Sequence, residues 1–383
     1  MLFSSTVSLL ALGATTALAA PRPVVPIQAT QQLEKRQYEP LNITYSSGMK
    51  EGLPRTLILA TGGTIAGASA SSTDSTGYRA GSIGVAALVE AVPELLNISS
   101  IDGIQVANVG SPSITDEILL DLAHIANQAL CWDGAEYDSV VVTHGTDTLE
   151  ETAFFLDATI TCDKPVVIVG AMRPATAISA DGPNNLLSAV ATGVSPDARG
   201  RGALVVLNDR IGQAYWMAKR NAYEQGFVGV LLSIKPIFYY PPSPPLFRQV
   251  YDVANLTSLP RVDMVIAHQG VTYDTLNYSM TAHGVKAFVS SGVGSGGYST
   301  EASANIAAAV EQGAIIVRTT QVRNGIVPIS SSAATISAGF LQSTKARRLL
   351  QILLGLNKTT DEIRDAFEGK LSYFLNQNLT DYY

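Results

Sequence analysis

Residues 55–67 read RTLILATGGTIAG, and this stretch decides the fold. Its first part, residues 56–60, is a short apolar run with the length of a buried strand. The run ends in the tetrapeptide TGGT at residues 61–64. Two adjacent glycines permit a sharp turn and the close approach of a ligand, because neither has a Cβ. The stretch therefore predicts a buried strand that ends in a turn carrying two threonine hydroxyls.

A second stretch of the same design lies at residues 139–148, which read SVVVTHGTDT. It is again an apolar strand that ends in small and hydroxyl-bearing residues, here together with Asp147. Ligands of open parallel sheets bind beyond the carboxyl ends of the strands. We therefore expect both stretches to present their hydroxyl groups to one cleft.

Strand and helix patterns alternate from residue 55 onward, and the strands are nearly continuous runs of Val, Ile and Leu. Further strands are predicted over 104–109, 140–143, 166–170 and 203–207. Helices are predicted over 83–95, 115–130, 149–160 and 184–192, and Thr115 is the expected N-cap of the second. This rhythm is typical of an α/β fold with a doubly wound, mainly parallel sheet that is covered on both faces.

The pattern changes after this series and predicts a second, smaller domain. Residues 210–234 are richer in polar and aromatic residues and predict a hairpin, and residues 236–260 contain the run PPSPP. Strands are then predicted over 261–267, 285–290 and 314–319, and helices over 300–312 and, as the last helix, 345–356. We predict an N-terminal domain over residues 37–240, a Pro-rich linker over 241–260 that is stiffened toward polyproline geometry, and a smaller α/β C-terminal domain over 261–383.

The first 36 residues predict a removable leader. Residues 1–20 have the short apolar core and small-residue exit of a secretory signal peptide, although no basic residue precedes the core. Residues 21–36 are rich in Pro and Gln and end in Lys35-Arg36, which predicts a propeptide; a leader that stays attached is the alternative. The expected location is secreted, either extracellular or in the cell wall. Glycosylation is then expected among six sequons, at Asn42, Asn97, Asn255, Asn277, Asn357 and Asn378.

Composition narrows the classes of partner. The chain has 383 residues, of which 46% are hydrophobic and 15% charged, so it can bury a sizeable core. Its net charge is -7 and it has no basic run, which gives no electrostatic footprint for nucleic acid or an anionic membrane.

The two cysteines, Cys131 and Cys162, favour one disulfide in an exported chain, with two buried thiols as the alternative. They predict no metal site, because no His or Asp cluster lies near them.

Several candidate residues have ordinary structural explanations beside the chemical ones. Thr146 next to Asp147 places a hydroxyl beside a carboxylate, yet an isolated Asp before a helix often caps it. His144 is expected to be a buried structural histidine, and residues 181–184, DGPN, predict a turn and a helix cap. The TGGT turn lacks the G-x-G-x-x-G spacing, so a nicotinamide cofactor is a weak interpretation.

A threonine is a poor nucleophile until a neighbouring group activates it. Tyr78, on a polar loop after the TGGT turn, is a candidate activator, and a surface aromatic residue is the alternative.

Three segments together resemble the L-asparaginase family of the type II, secreted or periplasmic kind. They read ATGGTIAG at 60–67, HGTDTLEET at 144–152 and CDKPVVIVGAMRPATAISADGPNNL at 162–186. The resemblance runs from about residue 55 to the C-terminus. It implies a larger N-terminal and a smaller C-terminal α/β domain, a homotetramer with sites between paired subunits, no metal or cofactor, and a family disulfide at Cys131 and Cys162.

The resemblance also implies roles for single residues. Thr64 matches the first catalytic threonine, and Tyr78 matches its activating tyrosine on a mobile lid. Thr146, Asp147 and Lys219 match the second catalytic cluster.

Substrate-binding roles follow in the same way. Ser111 matches the serine that holds the substrate α-carboxylate, and the backbone of Ala171 would face the side-chain amide. Gly63 and Gly145, in the two glycine turns, are the remaining substrate-binding candidates.

Three positions depart from the family pattern. Pro112 stands where the family usually has Gln or Glu, and Gly270-Val271 stand where it has an asparagine. Val327-Pro328 stand near the position at which the family has an acidic residue that reaches in from a neighbouring subunit, and no acidic residue is present there. These family residues hold the substrate α-amino group, so their loss predicts weaker binding more than altered chemistry.

The expected function is hydrolysis of L-asparagine to L-aspartate and ammonia through a threonine nucleophile. A broader asparaginase-glutaminase or amidase is one alternative. A non-catalytic secreted binding protein on the same fold is the other.

Overall fold

The computed structural model describes residues 40–73, 78–219, 227–330 and 334–375. The predicted signal peptide, the predicted propeptide and the Asn378 sequon lie outside these ranges. The strands in the described ranges are β1 Tyr45–Ser46, β2 Arg55–Gly62, β3 Ser100–Val109, β4 Ser139–Thr143, β5 Val166–Val169, β6 Leu204–Leu207, β7 Arg210–Gln213, β8 Phe227–Leu232, β9 Lys235–Phe238, β10 Asp263–Ile266, β11 Ala287–Gly292, β12 Ile315–Thr320 and β13 Ile336–Ser337. The α-helices there are α1 Val85–Glu90, α2 Asp116–Leu130, α3 Leu149–Thr159, α4 Gly182–Gly193, α5 Thr275–His283, α6 Thr300–Glu311, α7 Ser343–Gly355 and α8 Thr360–Leu375.

The larger sheet runs in the order β1-β3-β2-β4-β5-β6-β7-β8-β9. Its centre, from β3 to β6, is parallel, and the strands from β7 to β9 extend it antiparallel. Alternate residues of β2 enter different cores: Leu57 and Leu59 pack on one face, and Ile58 and Ala60 pack on the other. Helices α2 and α3 cover the first face, and α1 and α4 cover the second. The predicted doubly wound sheet is confirmed.

The smaller sheet has the order β10-β11-β12-β13 and is parallel throughout. One side packs on α5 and α6 around the fully buried Phe288. The other side packs on α7, whose buried residues Leu350 and Leu353 join the core under α2 and α3. The predicted smaller α/β C-terminal domain is therefore confirmed, and it is packed directly onto the first. We retain 37–240, 241–260 and 261–383 as proposed domain boundaries.

Several predicted elements have different bounds in the structure. The helix predicted over 83–95 is α1 followed by the 3-10 helix Pro93–Asn97, because Pro93 has no N–H to continue α1. The hairpin predicted over 210–234 contains β7 and β8, which pair antiparallel, and residues 220–226 lie outside the described ranges. Helix 345–356 is not the last one, since α8 follows α7. Thr115 caps α2 as predicted, accepting a hydrogen bond from the N–H of Ile118 at 3.3 Å.

A disulfide joins Cys131, at the end of α2, to Cys162, just before β5. The predicted pairing is confirmed.

None of the helices in the described ranges combines the length and the apolar character that crossing a bilayer requires.

Candidate active site

The two glycine turns predicted from the sequence lie against each other. They follow β2 and β4, which are paired in parallel with Ala60 opposite Thr143, so both turns leave the same edge of the sheet. Gly63 has φ +77°, and a Cβ built on it would lie 2.2 Å from the backbone nitrogen of Gly145. Only glycine permits this approach. The turns that carry Thr64 and Thr146 are thus in direct contact.

Thr64 begins a 3-10 helix, Thr64–Ala66, and is 8% exposed. Its Oγ1 lies 2.6 Å from the hydroxyl oxygen of Tyr78, within hydrogen-bonding distance. The Tyr78 ring lies over Gly67, where an added Cβ would meet the ring at 2.7 Å. The structure therefore brings together the predicted nucleophile and its predicted activator.

Thr146 stands at the centre of a second cluster. The Nζ of Lys219 donates to Thr146 Oγ1 at 3.0 Å and to Asp147 Oδ1 at 2.5 Å. Lys219 lies 73 residues along the chain from Thr146, so only the fold joins them. The lysine and aspartate side chains are 39% and 67% exposed, so water competes for their charges.

Two of the predicted substrate-binding residues border these turns. Ser111 is 5% exposed, and its Oγ would lie 3.0 Å from a Cβ on Gly145. Ala171 is fully buried and follows Gly170, where an added Cβ would meet Thr146 Cγ2 at 2.9 Å. Ser111 and Ala171 thus flank the threonine turns from opposite neighbouring strands.

The backbone of Gly63 is already engaged. Its N–H donates to the carbonyl of Val109 at 2.9 Å, and its carbonyl accepts from the N–H of Gly81 at 3.2 Å. The contribution of Gly63 that the structure shows is close packing on Gly145.

Asp181 is an anchor that the sequence motifs did not indicate. We predicted a turn and a helix cap at 181–184, but the Asp181 carboxylate makes no cap to α4. It accepts instead from the backbone N–H groups of Met172 and Arg173, at 2.8 and 2.9 Å, and from Asn185 Nδ2 at 3.0 Å. Asp181 therefore holds the loop that follows Ala171.

His144 is fully buried, as we predicted for a structural histidine. Its Nδ1–H donates to the Gly145 carbonyl at 2.7 Å, which leaves Nε2 to accept from the Thr152 hydroxyl at 2.9 Å. Burial lowers the pKa of His144 from 6.5 to about 4. His144 is therefore neutral near pH 7, and its bond to the Gly145 carbonyl supports the second glycine turn.

The three positions that depart from the family pattern offer no amino-group ligand. Gly270 has φ +76° and open space where a Cβ would be. Val327 is fully buried and paired with Gly339, so its side chain does not reach outward. Pro112 lies in the 3-10 helix Ser111–Ser113, with no side-chain donor or acceptor. Across the described ranges, His, Cys, Asp and Glu form no group of three or more that could hold a metal ion.

Comparison with known proteins assigns this combination of fold and site to a class. The asparaginase N-terminal family model matches residues 55–228, and the glutaminase/asparaginase C-terminal domain matches residues 261–367. The chain belongs to the asparaginase family.

The chain is similar in sequence to individual L-asparaginases over most of their length. The chain is 43% identical to L-asparaginase 2 of Bacillus subtilis, over 86% of this chain and 89% of that protein. It is 41% identical to L-asparaginase 2-3 of Saccharomyces cerevisiae, over 83% and 90%. The crystal structure of a probable cytoplasmic L-asparaginase from Campylobacter jejuni matches with a TM-score of 0.75 and 38% identity, over 82% of this chain and 99% of that one.

These relatives correct the predicted location. The similar crystal structure is of a probable cytoplasmic protein, and the Bacillus and Saccharomyces relatives are not named as secreted. A relative named as periplasmic, from Haemophilus influenzae, matches at 38% identity. The prediction of a secreted protein, extracellular or in the cell wall, is therefore wrong. It relied on a leader without a basic residue before its apolar core, a pattern too weak to establish export. The predicted glycosylation depended on export and is not retained.

Proposed function

We propose that this chain is an L-asparaginase that hydrolyses L-asparagine to L-aspartate and ammonia. The single observation that carries the proposal is the contact between the two glycine turns. One turn carries Thr64, hydrogen-bonded to the Tyr78 hydroxyl, and the other carries Thr146, hydrogen-bonded to Lys219. Membership of the asparaginase family supports the choice of substrate.

In the proposed reaction, Thr64 Oγ1 attacks the carbon of the side-chain amide and Tyr78 relays the threonine proton. The developing oxyanion lies against backbone N–H groups of the Gly145 turn, since the N–H of Gly63 is bonded to Val109. Ammonia leaves with a proton, and water then hydrolyses the acyl-threonine ester.

Thr146, Lys219 and Asp147 form the second proton-handling group in this proposal. The lysine donates to both partners, so it holds the Thr146 hydroxyl in a fixed orientation toward the reacting centre. Asp147 balances the lysine charge while a proton is transferred.

Direct attack by water on the amide is the competing mechanism, in which Thr64 only positions the substrate. Rapid acid quench of the enzyme with L-asparagine, followed by peptide mass analysis, separates the two. We expect a transient mass increase on the peptide that contains Thr64. Full turnover with no such species would contradict the threonine nucleophile.

Binding of the substrate is expected to be weak. Pro112, Gly270 and Val327 supply none of the amino-group ligands implied by the family, and each lost contact costs about 1–3 kcal/mol. We predict a KM for L-asparagine above the micromolar range, measured by ammonia release. A micromolar KM would show that other residues hold the amino group.

The absence of amino-group ligands also favours a second candidate, an asparaginase-glutaminase or amidase of broader range. Ammonia release from L-asparagine, D-asparagine and L-glutamine, measured side by side, distinguishes the two. The proposal expects L-asparagine to give the highest kcat/KM. Release from none of the three amides would contradict both enzymes.

We also propose a homotetramer with its sites between paired subunits. Exposed apolar residues on and beside the last strands of the larger sheet support an interface: Leu232 is 69% exposed, Ile234 42% and Ile237 41%. Light scattering coupled to size exclusion is expected to give four times the chain mass. A monomer mass at assay concentration would contradict the assembly.

A further inference from the structure

Lys219 is held at its backbone by two charged side chains that the proposed reaction does not use. Its N–H donates to Glu150 Oε2 at 2.5 Å. Its carbonyl accepts from Arg323 Nη1 at 2.9 Å. The peptide groups on both sides of the lysine Cα are therefore fixed by charge-assisted hydrogen bonds, which are stronger than neutral ones.

The two side chains come from different domains. Glu150 lies in the first turn of α3, three residues after Asp147, where the helix N-terminus favours a negative charge. Arg323 follows β12 of the C-terminal sheet and is 104 residues from Lys219 in sequence. The bond from Arg323 to the Lys219 carbonyl therefore connects the C-terminal domain to the Thr146 cluster.

The segment before Lys219 is packed on one side and open on the other, since Met217 and Ala218 are buried. A cavity of about 270 Å³, lined by residues that include Trp216, Ala218, Arg323 and Phe340, borders the residues that precede Lys219. The side-chain pair of Lys219 and Asp147 is exposed, and exposed pairs contribute little to holding a conformation. The two backbone bonds therefore contribute to holding Lys219 in place.

The turn before Lys219 is held from the same domain. Lys345, in α7, is fully buried and donates from Nζ to the carbonyls of Ala214, Tyr215 and Met217, at 2.8, 2.9 and 2.5 Å. The C-terminal domain thus binds the backbone of residues 214–219 at two places, through Lys345 and through Arg323.

We propose that Arg323 and Glu150 are positioning residues for Lys219, so that the C-terminal domain sets the geometry of the Thr146 cluster. The proposal rests on the proposed function, in which Lys219 orients the Thr146 hydroxyl. A shift of about 1 Å in such a group costs up to about a hundredfold in rate. Substrate binding is expected to change little, because the bonds shown for Glu150 and Arg323 are to the backbone of Lys219, which is not one of the predicted substrate-binding residues.

Steady-state ammonia release from L-asparagine by full-length variants tests this inference. We expect Arg323→Ala and Glu150→Ala each to lower kcat about tenfold or more, with KM changed less than about threefold. Arg323→Lys keeps a donor and Glu150→Gln keeps an acceptor oxygen, so each is expected to retain several times the kcat of its alanine counterpart. Unchanged circular dichroism and thermal midpoint would show that the fold is intact.

Arg261→Ala is the matched control, because Arg261 is an exposed arginine of the same domain that pairs with Asp263 and not with Lys219. It is expected to leave both kcat and KM unchanged. Wild-type kcat in Arg323→Ala and Glu150→Ala would overturn the positioning role and leave the proposed function standing. Equal losses in the alanine and conservative variants would also overturn it. No ammonia release by the wild-type chain from any amide would refute the proposed function and the inference with it.

Discussion

At the scale of single residues, a buried histidine makes stability depend on pH. His144 has a pKa of about 4 in the folded chain because burial disfavours its charged form, while the unfolded chain keeps about 6.5. Between these values the unfolded state binds a proton that the folded state does not. The stabilisation from neutral His144 is therefore fully present above pH 6.5 and is lost as the pH falls toward 4.

This difference predicts a loss of about 3 kcal/mol in the free energy of unfolding between pH 6.5 and 4 from His144 alone. Urea unfolding at several pH values, compared between wild type and His144→Gln, measures it. Carboxylates titrate in both proteins, so the difference in slope isolates the histidine. Parallel curves for the two proteins would contradict the assignment.

The residues of the glycine turns were predictable, while most of their supports were not. Thr64, Thr146 and Asp147 follow from the strand–turn motifs, and Tyr78 and Lys219 received their roles from the family resemblance. The structure brings the five into two hydrogen-bonded clusters. Their catalytic roles remain proposals.

Glu150 lies within the HGTDTLEET segment, which assigned it no role, and Arg323 lies in none of the quoted motifs. Each holds the backbone of Lys219, a contact that no local pattern of residues encodes. Only the tertiary structure identifies them.

At the scale of elements, the start of α4 controls the loop after β5. Asp181 accepts from two backbone N–H groups of that loop, and Asn185 donates from Nδ2 to the carbonyl of Gly170 at 3.0 Å. One turn of helix thus fixes residues 170–173, beside Thr146.

Removing this anchor should impair the site more than the fold. Asp181→Ala frees two exposed N–H groups, which water can satisfy, and one bond from Asn185 Nδ2, which keeps its bond to the Gly170 carbonyl. We therefore expect a stability loss of only about 1 kcal/mol. The displaced loop is expected to lower kcat/KM about tenfold. Asp181→Asn keeps one acceptor and should fall between the two. An unchanged kcat/KM in Asp181→Ala, measured by ammonia release, would contradict the anchoring role.

Element types were easier to predict than their limits. The apolar runs identify the central strands, because parallel strands are buried on both faces. The break at Pro93 followed from a missing N–H that the apolar periodicity did not register. Helix α8 was overlooked although its buried Ile363, Phe367 and Leu371 recur at four-residue spacing.

At the scale of the whole molecule, α7 connects the two domains. Arg348 is 9% exposed and donates to Asp116 at 2.6 Å and to Glu151 at 3.1 Å, in α2 and α3. Its partners lie 232 and 197 residues away along the chain. Sequence patterns predict each domain separately but not a contact of such range.

Breaking this buried network should be costly. Arg348→Ala leaves Glu151 largely buried without its cation, so we expect the free energy of unfolding to fall by about 3 kcal/mol. Lys358→Ala removes an exposed pair with Glu362 and is the control, with an expected change below about 1 kcal/mol. Urea unfolding followed by circular dichroism measures both. Equal effects of the two substitutions would contradict the role of α7 as the connection between domains.

Thr64 and Thr146 are proposed to act on one carboxamide carbon, and the rate of ammonia release from L-asparagine tests this most directly. Thr64→Ala and Thr146→Ala are each expected to lower kcat by at least about a hundredfold, with circular dichroism unchanged. Thr64→Ser and Thr146→Ser keep the hydroxyls and should retain measurable turnover. Wild-type turnover in either alanine variant would contradict a shared site on the two glycine turns.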